Sequence, residues 1–507
     1  MVFDNPVLPG FYPDPSVCRV GEDYYLVTST MEYRPGVPVF HSRDLIHWRQ
    51  IGHCLTRPSQ LASERFPSSQ GIYAPTIRHH DGVFYMISTN VSAGGNFYVT
   101  ARDPAGPWSE PVWLEADGID PSLFFDDDGT VFFTCQSPAG AQQSTLDLET
   151  GKLLAPLRLI WPGTGGSHPE APHLYRINGW YYLMLAEGGT EYGHMETIAR
   201  SASPWGPFEG CPRNPVLTHR STGVLPIQSV GHADLVQAPN GRWWAVCLGV
   251  RPNGYPKCHH LGRETFLSPV SWDAAGWPVF GRAGRIEPTI DVGDWPTQPW
   301  PPEPARDDYD GPELRLCWNF LRHPRADELS LDERPGFLRL HGSAVTLDDP
   351  GAPVWLGRRQ QQYDCEAWTA LEFSPQRQGD EAGLTVRMNE RHHYEIAVTR
   401  GAEGARIIVR RRLGSLRAVT ASAPLHASRV LLGVRADKDN YTFGYRLNAE
   451  DVPHWLDSAE TRYLSTEVAG GFTGVYISLY ATGNGQPCAP PADFDWFEYR
   501  WEGIPPA

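Results

Sequence analysis

The chain lacks the marks of several common protein classes. Its 507 residues carry a net charge of −16, which argues against a nucleic-acid backbone or an anionic membrane as the main partner. No apolar run approaches the ~20 residues that a membrane-spanning helix needs. The opening stretch "MVFDNPVLPG" has neither the basic nor the apolar region of a secretory signal. Nine cysteines make an odd set with no CxxC pair, so no disulfide framework is indicated. Cys18, Cys135 and Cys247 lie in or beside apolar runs, the usual place of buried thiols. A reducing, cytoplasmic location is therefore expected. HExxH, an EF-hand loop and a GxSxG elbow are all missing, and with them the signatures of zinc peptidases, calcium hands and α/β-hydrolases.

What is present is aromatic and rich in turns. Aromatics make up 12% of the chain, with 18 Trp, 50 Gly and 47 Pro. That balance favours an all-β protein of short strands. Flat aromatic side chains also suit the apolar faces of sugar rings. One pattern recurs five times: "DPSVCRVGEDYYLVTST" from Asp14, "APTIRHHDGVFYMISTN" from Ala74, "DPSLFFDDDGTVFFTCQS" from Asp120, "EAPHLYRINGWYYLMLAEG" from Glu170 and "HADLVQAPNGRWWAVCLGV" from His232. Each copy holds a turn signal such as "HDGV" or "INGW" between two apolar runs, which predicts a β-hairpin. Starts spaced roughly 45–60 residues apart, with about four strands each, are the signature of propeller blades. The chain is expected to be all-β, a five-bladed β-propeller followed by a β-sandwich.

In a propeller the innermost strands surround one axis. The first residues of the five copies, Asp14, Ala74, Asp120, Glu170 and His232, should therefore meet at the mouth of the central channel. Proline after Asp14 and Asp120 should bias each acid toward an extended backbone. A single Asp before Pro is commonly a turn residue. Three acids at matching repeat positions, with no Lys or Arg among the five, point to a site. Two carboxylates flanking a bond, one kept protonated by its like-charged neighbours, can hydrolyse a glycoside. The rival is a cation site made from the same Asp, Asp, Glu and His. The pairs His79–His80 and His392–His393 read as solvent-facing or structural, and "CHH" at 258–260 has no partner set.

Taken together, "NPVLPGFYPDPSV", "GIYAPTI", "GIDPSLFFDDDG", "PEAPHLYRINGWYYLMLAEGGT", "GHADLVQAPNGRWW" and "LGRETFLSPVSW" resemble glycoside hydrolase family 43. The branch resembled is that of β-xylosidases and α-L-arabinofuranosidases with a C-terminal β-sandwich. The resemblance implies an inverting exo-glycosidase that releases terminal xylose or arabinofuranose from short oligosaccharides. It assigns Asp14 as the general base, Glu170 as the general acid and Asp120 as the acid that orients the donor and raises its pKa. Base and acid should then stand about 6.5–9.5 Å apart. It further implies that Arg263 clamps sugar hydroxyls, that Tyr73 and Ala74 line the sugar, and that Met31 stands where relatives often carry Phe. His232 becomes the channel histidine, near a water cluster or a candidate Ca²⁺, though no cofactor is required. Glu187 reads equally as a supporting acid or a plain strand end. Homo-oligomers are usual in the branch.

Propeller character fades before the proline-rich stretch "WPTQPWPPEP". The expected division is a propeller over 1–294, a stiff linker over 295–307 and a β-sandwich over 308–507. "GGFTGVYIS" resembles the sandwich segment that lends an aromatic to the pocket, which points to Phe472. Arg410, Arg411 and Arg412 read as a solvated strand edge. Two other functions remain open. A retaining fructan- or sucrose-cleaving propeller would want Arg before the middle Asp and Cys after the Glu, where this chain has Ile119 and Ala171. A sugar-binding propeller without catalysis would have little use for all three acids.

Overall fold

The structure, a computed structural model, describes residues 1–61 and 65–501. The last six residues of the expected sandwich, 502–507, lie outside the described residues. Five antiparallel sheets of four or five strands form the propeller. Their innermost strands are Ser16–Val20, Thr76–His80, Ser122–Phe125, Glu170–Ile177 and Gln228–Gln237, belonging to blades 1 to 5 in that order. Each continues through a hairpin into an apolar second strand, for example Trp180–Glu187 in blade 4 or Trp243–Val250 in blade 5. These second strands are buried almost throughout, as expected where blades pack face to face. The N-terminal strand Val2–Asp4 pairs with Thr289–Asp291 and so ties the two ends of the propeller together.

Neighbouring blades are clasped at their inner edges by hydroxyls. Ser16 Oγ accepts from the Ile77 amide at 3.0 Å, joining blades 1 and 2. Thr76 donates to the Pro121 carbonyl at 2.9 Å, and Ser122 to the Pro172 carbonyl at 2.6 Å. Ser16 also donates to Asp234 at 2.6 Å, which closes blade 5 onto blade 1. The Ser or Thr two residues after Asp14, Ala74 and Asp120 is thus the clasp of the repeat.

The second domain is a sandwich of two eight-stranded sheets. Leu384, Val386, Ile396, Leu432, Phe443, Leu479 and Phe494 belong to the core between them. One sheet ends on a strand that the propeller donates: Tyr33–Arg34 pairs antiparallel with Asn319–Leu321. Behind that strand, Phe11, Tyr33, Trp355 and Tyr476 form a buried aromatic cluster spanning both domains, with Tyr33 stacked on Tyr476 at 4.0 Å. The proline-rich linker is strapped to blade 1, where the indoles of Trp295 and Trp300 donate to the Asp44 and His41 carbonyls.

Arg410 departs from the expected solvated edge. It is 9% exposed and holds Glu381 and Glu395 at 2.5 to 2.9 Å. Successive residues of a strand face opposite ways, so three arginines in a row cannot share one environment. Arg411 pairs instead with Asp457. His393 is structural, buried between Asp348 and Glu395, and His260 is buried against Tyr363 and Tyr441.

Candidate active site

The carboxylates gather where the innermost strands begin, but the backbone there is not extended. Asp14 and Asp120 have φ of 54° and 52°, in the left-handed region. This overturns the expectation that proline would extend them. Asp tolerates this region better than most residues, at a cost of about 1–3 kcal/mol each. In blades 4 and 5 the matching left-handed residues are Ala171 (φ 51°) and His232 (φ 53°). Glu170 therefore precedes the position equivalent to Asp14 by one residue, and the five first residues are not strictly equivalent. The offset follows from Pro172, which sets the register of blade 4 one step later than the acid, with an irregularity between Glu170 and His173.

Asp14 is buried and fully engaged. Arg263 grips it through Nη1–Oδ1 at 2.7 Å and Nη2–Oδ2 at 3.4 Å. Ser29 donates a hydroxyl to Oδ2, and His232 Nδ1 lies 3.7 Å from Oδ1. Burial opposes its charge, but Arg263, His232 and Ser29 outweigh burial and hold the carboxyl below the usual range. Asp14 is thereby held in its ionised form.

Glu170 has the opposite surroundings. Burial pushes it well above the usual carboxylate range, and the charges of Asp120 and Asp14 push it further, against Arg263. Burial also raises Asp120, to about 6, with Asp14 adding to the shift and His232 and the Ala171 amide opposing it. That amide donates to Asp120 Oδ2 at 3.2 Å, so Asp120 is bonded to the backbone next to Glu170. One ionised and one protonated carboxyl in the same mouth is the division of labour that acid–base glycoside cleavage requires.

Below this mouth the channel is closed by an ion pair. Asp234 Oδ2 accepts from Ser16 at 2.6 Å, the Val17 amide at 3.0 Å and Arg78 Nη1 at 2.8 Å. Its Oδ1 accepts from Tyr175 at 2.6 Å and Arg78 Nη2 at 3.2 Å. Arg78 also reaches His173 Nδ1 at 3.1 Å. Asp234 has no free oxygen to offer a Ca²⁺ beside His232. The carboxylate beneath is saturated by donors, and the charge it balances is already supplied by a guanidinium.

Comparison with known proteins gives the family. The family model for glycosyl hydrolases family 43 covers residues 3–278, and that for the beta xylosidase C-terminal concanavalin A-like domain covers 306–500. The chain belongs to glycosyl hydrolases family 43. It is 47% identical over 98% of its length to a non-reducing end alpha-L-arabinofuranosidase of Bacteroides ovatus, covering 94% of that protein. It is 41% identical to a xylosidase/arabinosidase of Butyrivibrio fibrisolvens, over 98% of this chain and 99% of that one. Among solved structures, the Bacteroides ovatus protein described as xyloglucan PUL GH43B aligns over 99% of this chain and all (100%) of its own, with a TM-score of 0.96 and 46% identity. A xylan beta-1,4-xylosidase of Bacillus halodurans aligns over 98% of this chain and 100% of its own at a TM-score of 0.93 and 37% identity.

Within this family member the remaining site residues take the following places. Tyr73 and Phe472 meet edge to face at 6.4 Å, and Phe472 lies 5.7 Å from the Arg263 guanidinium. Phe472 is 40% exposed and so is not a core residue. Its loop is pinned by Ser69, whose hydroxyl accepts the Phe472 amide at 2.8 Å, and by the Phe472 carbonyl, which accepts from Arg263 at 3.4 Å. The loop approaches because Gly262 and Gly474 touch backbone to backbone. A Cβ on Gly262 would lie 2.9 Å from the Gly474 Cα. Ala74 is buried beside the mouth, and Met31 lies beneath Tyr73 in the inter-domain cluster. Glu187 supports the site from behind. Its carboxylate accepts from the Thr164 and Gly166 amides and from Thr197 at 2.6 to 2.8 Å, fixing the loop that leads to Glu170.

Ser29, Thr190, His194 and the Arg78–Asp234 plug are not singled out by the sequence. Thr190 Oγ1 lies 3.5 Å from Arg263, and His194 Nε2 lies 3.8 Å from Glu170 Oε1. The one available signal was position. Thr190 ends the stretch "LAEGGT" of blade 4, and Ser29 lies just past the second strand of blade 1. Neither place forms a pattern that a single sequence displays.

Proposed function

We propose that this enzyme hydrolyses terminal α-L-arabinofuranosides and β-xylosides with inversion, using Asp14 as base, Glu170 as acid and Asp120 as the acid's supporting carboxylate. The observation that carries the assignment is the split between Asp14, kept ionised by Arg263, and Glu170, kept protonated by burial and by Asp120. Asp14 takes a proton from water, whose oxygen bonds to the anomeric carbon. The glycosidic C–O bond breaks, and Glu170 gives its proton to the leaving oxygen. Arg263 orients Asp14 and the sugar hydroxyls near it. The Arg78–Asp234 pair beneath and Phe472 at the side suit a blind pocket that admits one terminal residue. The more similar of the named relatives is an arabinofuranosidase, so the arabinofuranoside is expected to be the faster substrate. Nine free cysteines, seven of them buried, support a reducing compartment as its location.

The test is proton NMR of the first product anomer, together with Asp14→Ala and Glu170→Ala. Inverted product and losses on the order of 10²–10⁴-fold in kcat are expected. A retained anomer, or near-normal turnover in either variant on unactivated oligosaccharides, would overturn the mechanism.

A further inference from the structure

His194 is a fully buried imidazole that faces the general acid. It immediately precedes the third strand of blade 4, Met195–Ser201, which pairs with the strand that ends in Glu187. Its Nδ1 lies 3.0 Å from the Ser229 carbonyl oxygen. A carbonyl can only accept, so Nδ1 carries the proton and Nε2 of the neutral ring is a bare lone pair. That Nε2 is buried without a hydrogen-bond partner among the described residues and lies 3.8 Å from Glu170 Oε1.

We infer that His194 is a positioning residue for catalysis, which holds the Glu170 carboxyl in its protonated form by offering it only an acceptor. A lone pair can take a hydrogen bond from the carboxylic acid, whereas it repels the carboxylate. Hydrogen bonding to the neutral form raises a carboxyl pKa. The 3.8 Å gap in the free enzyme is of the kind that tightens when the site is filled. Burial reinforces the arrangement by driving the His194 pKa down to about 4, so the ring stays neutral where the enzyme would work. Gly231 makes it possible. A Cβ there would lie 2.8 Å from Cε1 and Nε2 of the ring, so only glycine leaves room for the imidazole against blade 5.

The other charged and titratable groups around Glu170 are Asp120, Asp14 and Arg263, with Glu196 behind the strand and His232 beside Asp14. None of them is substituted in the His194 variants below, and because His194 also acts on Asp14, the acid and alkaline limbs are read separately. The inference rests on Glu170 being the general acid, and the experiment separates the two claims.

The experiment compares His194→Asn, His194→Gln and Glu170→Gln on two arabinofuranosides, one with a dinitrophenyl and one with an alkyl leaving group. Asn reproduces the Nδ1 donor and lacks the Nε2 acceptor, whereas Gln places an amide donor toward Glu170. An activated leaving group needs no proton, so loss of acid function spares it. Both His194 variants should lose about tenfold or more on the alkyl glycoside and keep most activity on the dinitrophenyl one. Their alkaline kcat/KM limb should move to lower pH by about one unit, further for Gln than for Asn. Equal losses on both substrates, or an unmoved alkaline limb, would overturn the role of His194. If Glu170→Gln is itself indifferent to the leaving group, the underlying assignment of the acid fails instead. Nitrogen-15 NMR of the wild-type enzyme gives a test independent of variant folding. A bare Nε2 and a protonated Nδ1 at neutral pH are expected, and a proton on Nε2 would overturn the inference.

Discussion

At the scale of single residues, the difference between Asp14 and Asp120 is one of partners. Both sit in Asp-Pro-Ser, and both take the left-handed backbone. Arg263 grips only Asp14, and the backbone amide after Glu170 reaches only Asp120. Asp120 is therefore expected to act through Glu170. Removing its negative charge in Asp120→Asn lets Glu170 ionise more readily. The alkaline limb of the pH–rate profile should then fall at a lower pH than in the wild type, by about one unit. Arg263→Ala should act on the other limb. Asp14 would lose its largest favourable partner and be pushed up by burial, so activity on the acid side should fail at a higher pH. An unshifted profile in either variant would contradict the corresponding role.

At the scale of elements, a loop that the propeller does not own reaches Arg263, which holds Asp14. Phe472 stands on the sandwich, yet it faces Tyr73 and covers Arg263. Because it is exposed, Phe472→Ala removes little packing and should leave thermal stability nearly unchanged. It should raise KM for small arabinosides and xylosides by about tenfold, the value of a lost wall contact of about 1–3 kcal/mol. Gly474→Ala should do similar damage by another route, since its Cβ would fall 2.3 Å from the Leu261 carbonyl oxygen and push the loop away. Steady-state kinetics and melting curves on the two variants separate loss of the wall from loss of the fold.

For the whole molecule, the two domains are one folding problem. The propeller supplies the edge strand Tyr33–Arg34 to a sandwich sheet, and the aromatic cluster behind it draws on both domains. A chain cut at residue 305 would bare that strand and the cluster, leaving an unpaired edge prone to aggregation. Insoluble or inactive protein is expected, and a soluble, fully active propeller would contradict it. The axis makes a second whole-molecule contribution. Arg78 and Asp234 bind blades 1, 2, 4 and 5 through one buried ion pair. Arg78→Ala should cost about 3–5 kcal/mol, because it strands a buried carboxylate. Burial opposes the charge on Asp234, but Arg78, His173 and the Ser16 hydroxyl together outweigh burial and depress its pKa. Its stabilisation is thus complete above the ordinary Asp range, about 3.9, and is lost as pH falls below it. With the guanidinium supplying the charge on the axis, dialysis against a chelator should leave activity within about twofold, and a metal-restored loss would contradict the plug.

The sequence alone determined the repeat, the five hairpins, the second β domain and the three acids. These features are local: an Asp-Gly or Asn-Gly turn and a run of alternating or apolar residues shape the backbone from near neighbours, and repetition makes the pattern visible. The tertiary structure decided which acid ionises and which keeps its proton. Arg263 lies 249 residues from Asp14 in the chain, and Phe472 reaches Tyr73 and Arg263 from another domain. The channel cation is a side chain of blade 2 paired with one of blade 5. Electrostatics depends on distance in space, and no local pattern records which distant partner will arrive. Arg410 shows the same limit in the sandwich, where a charged run that looks solvated becomes buried once its strand acquires two neighbours.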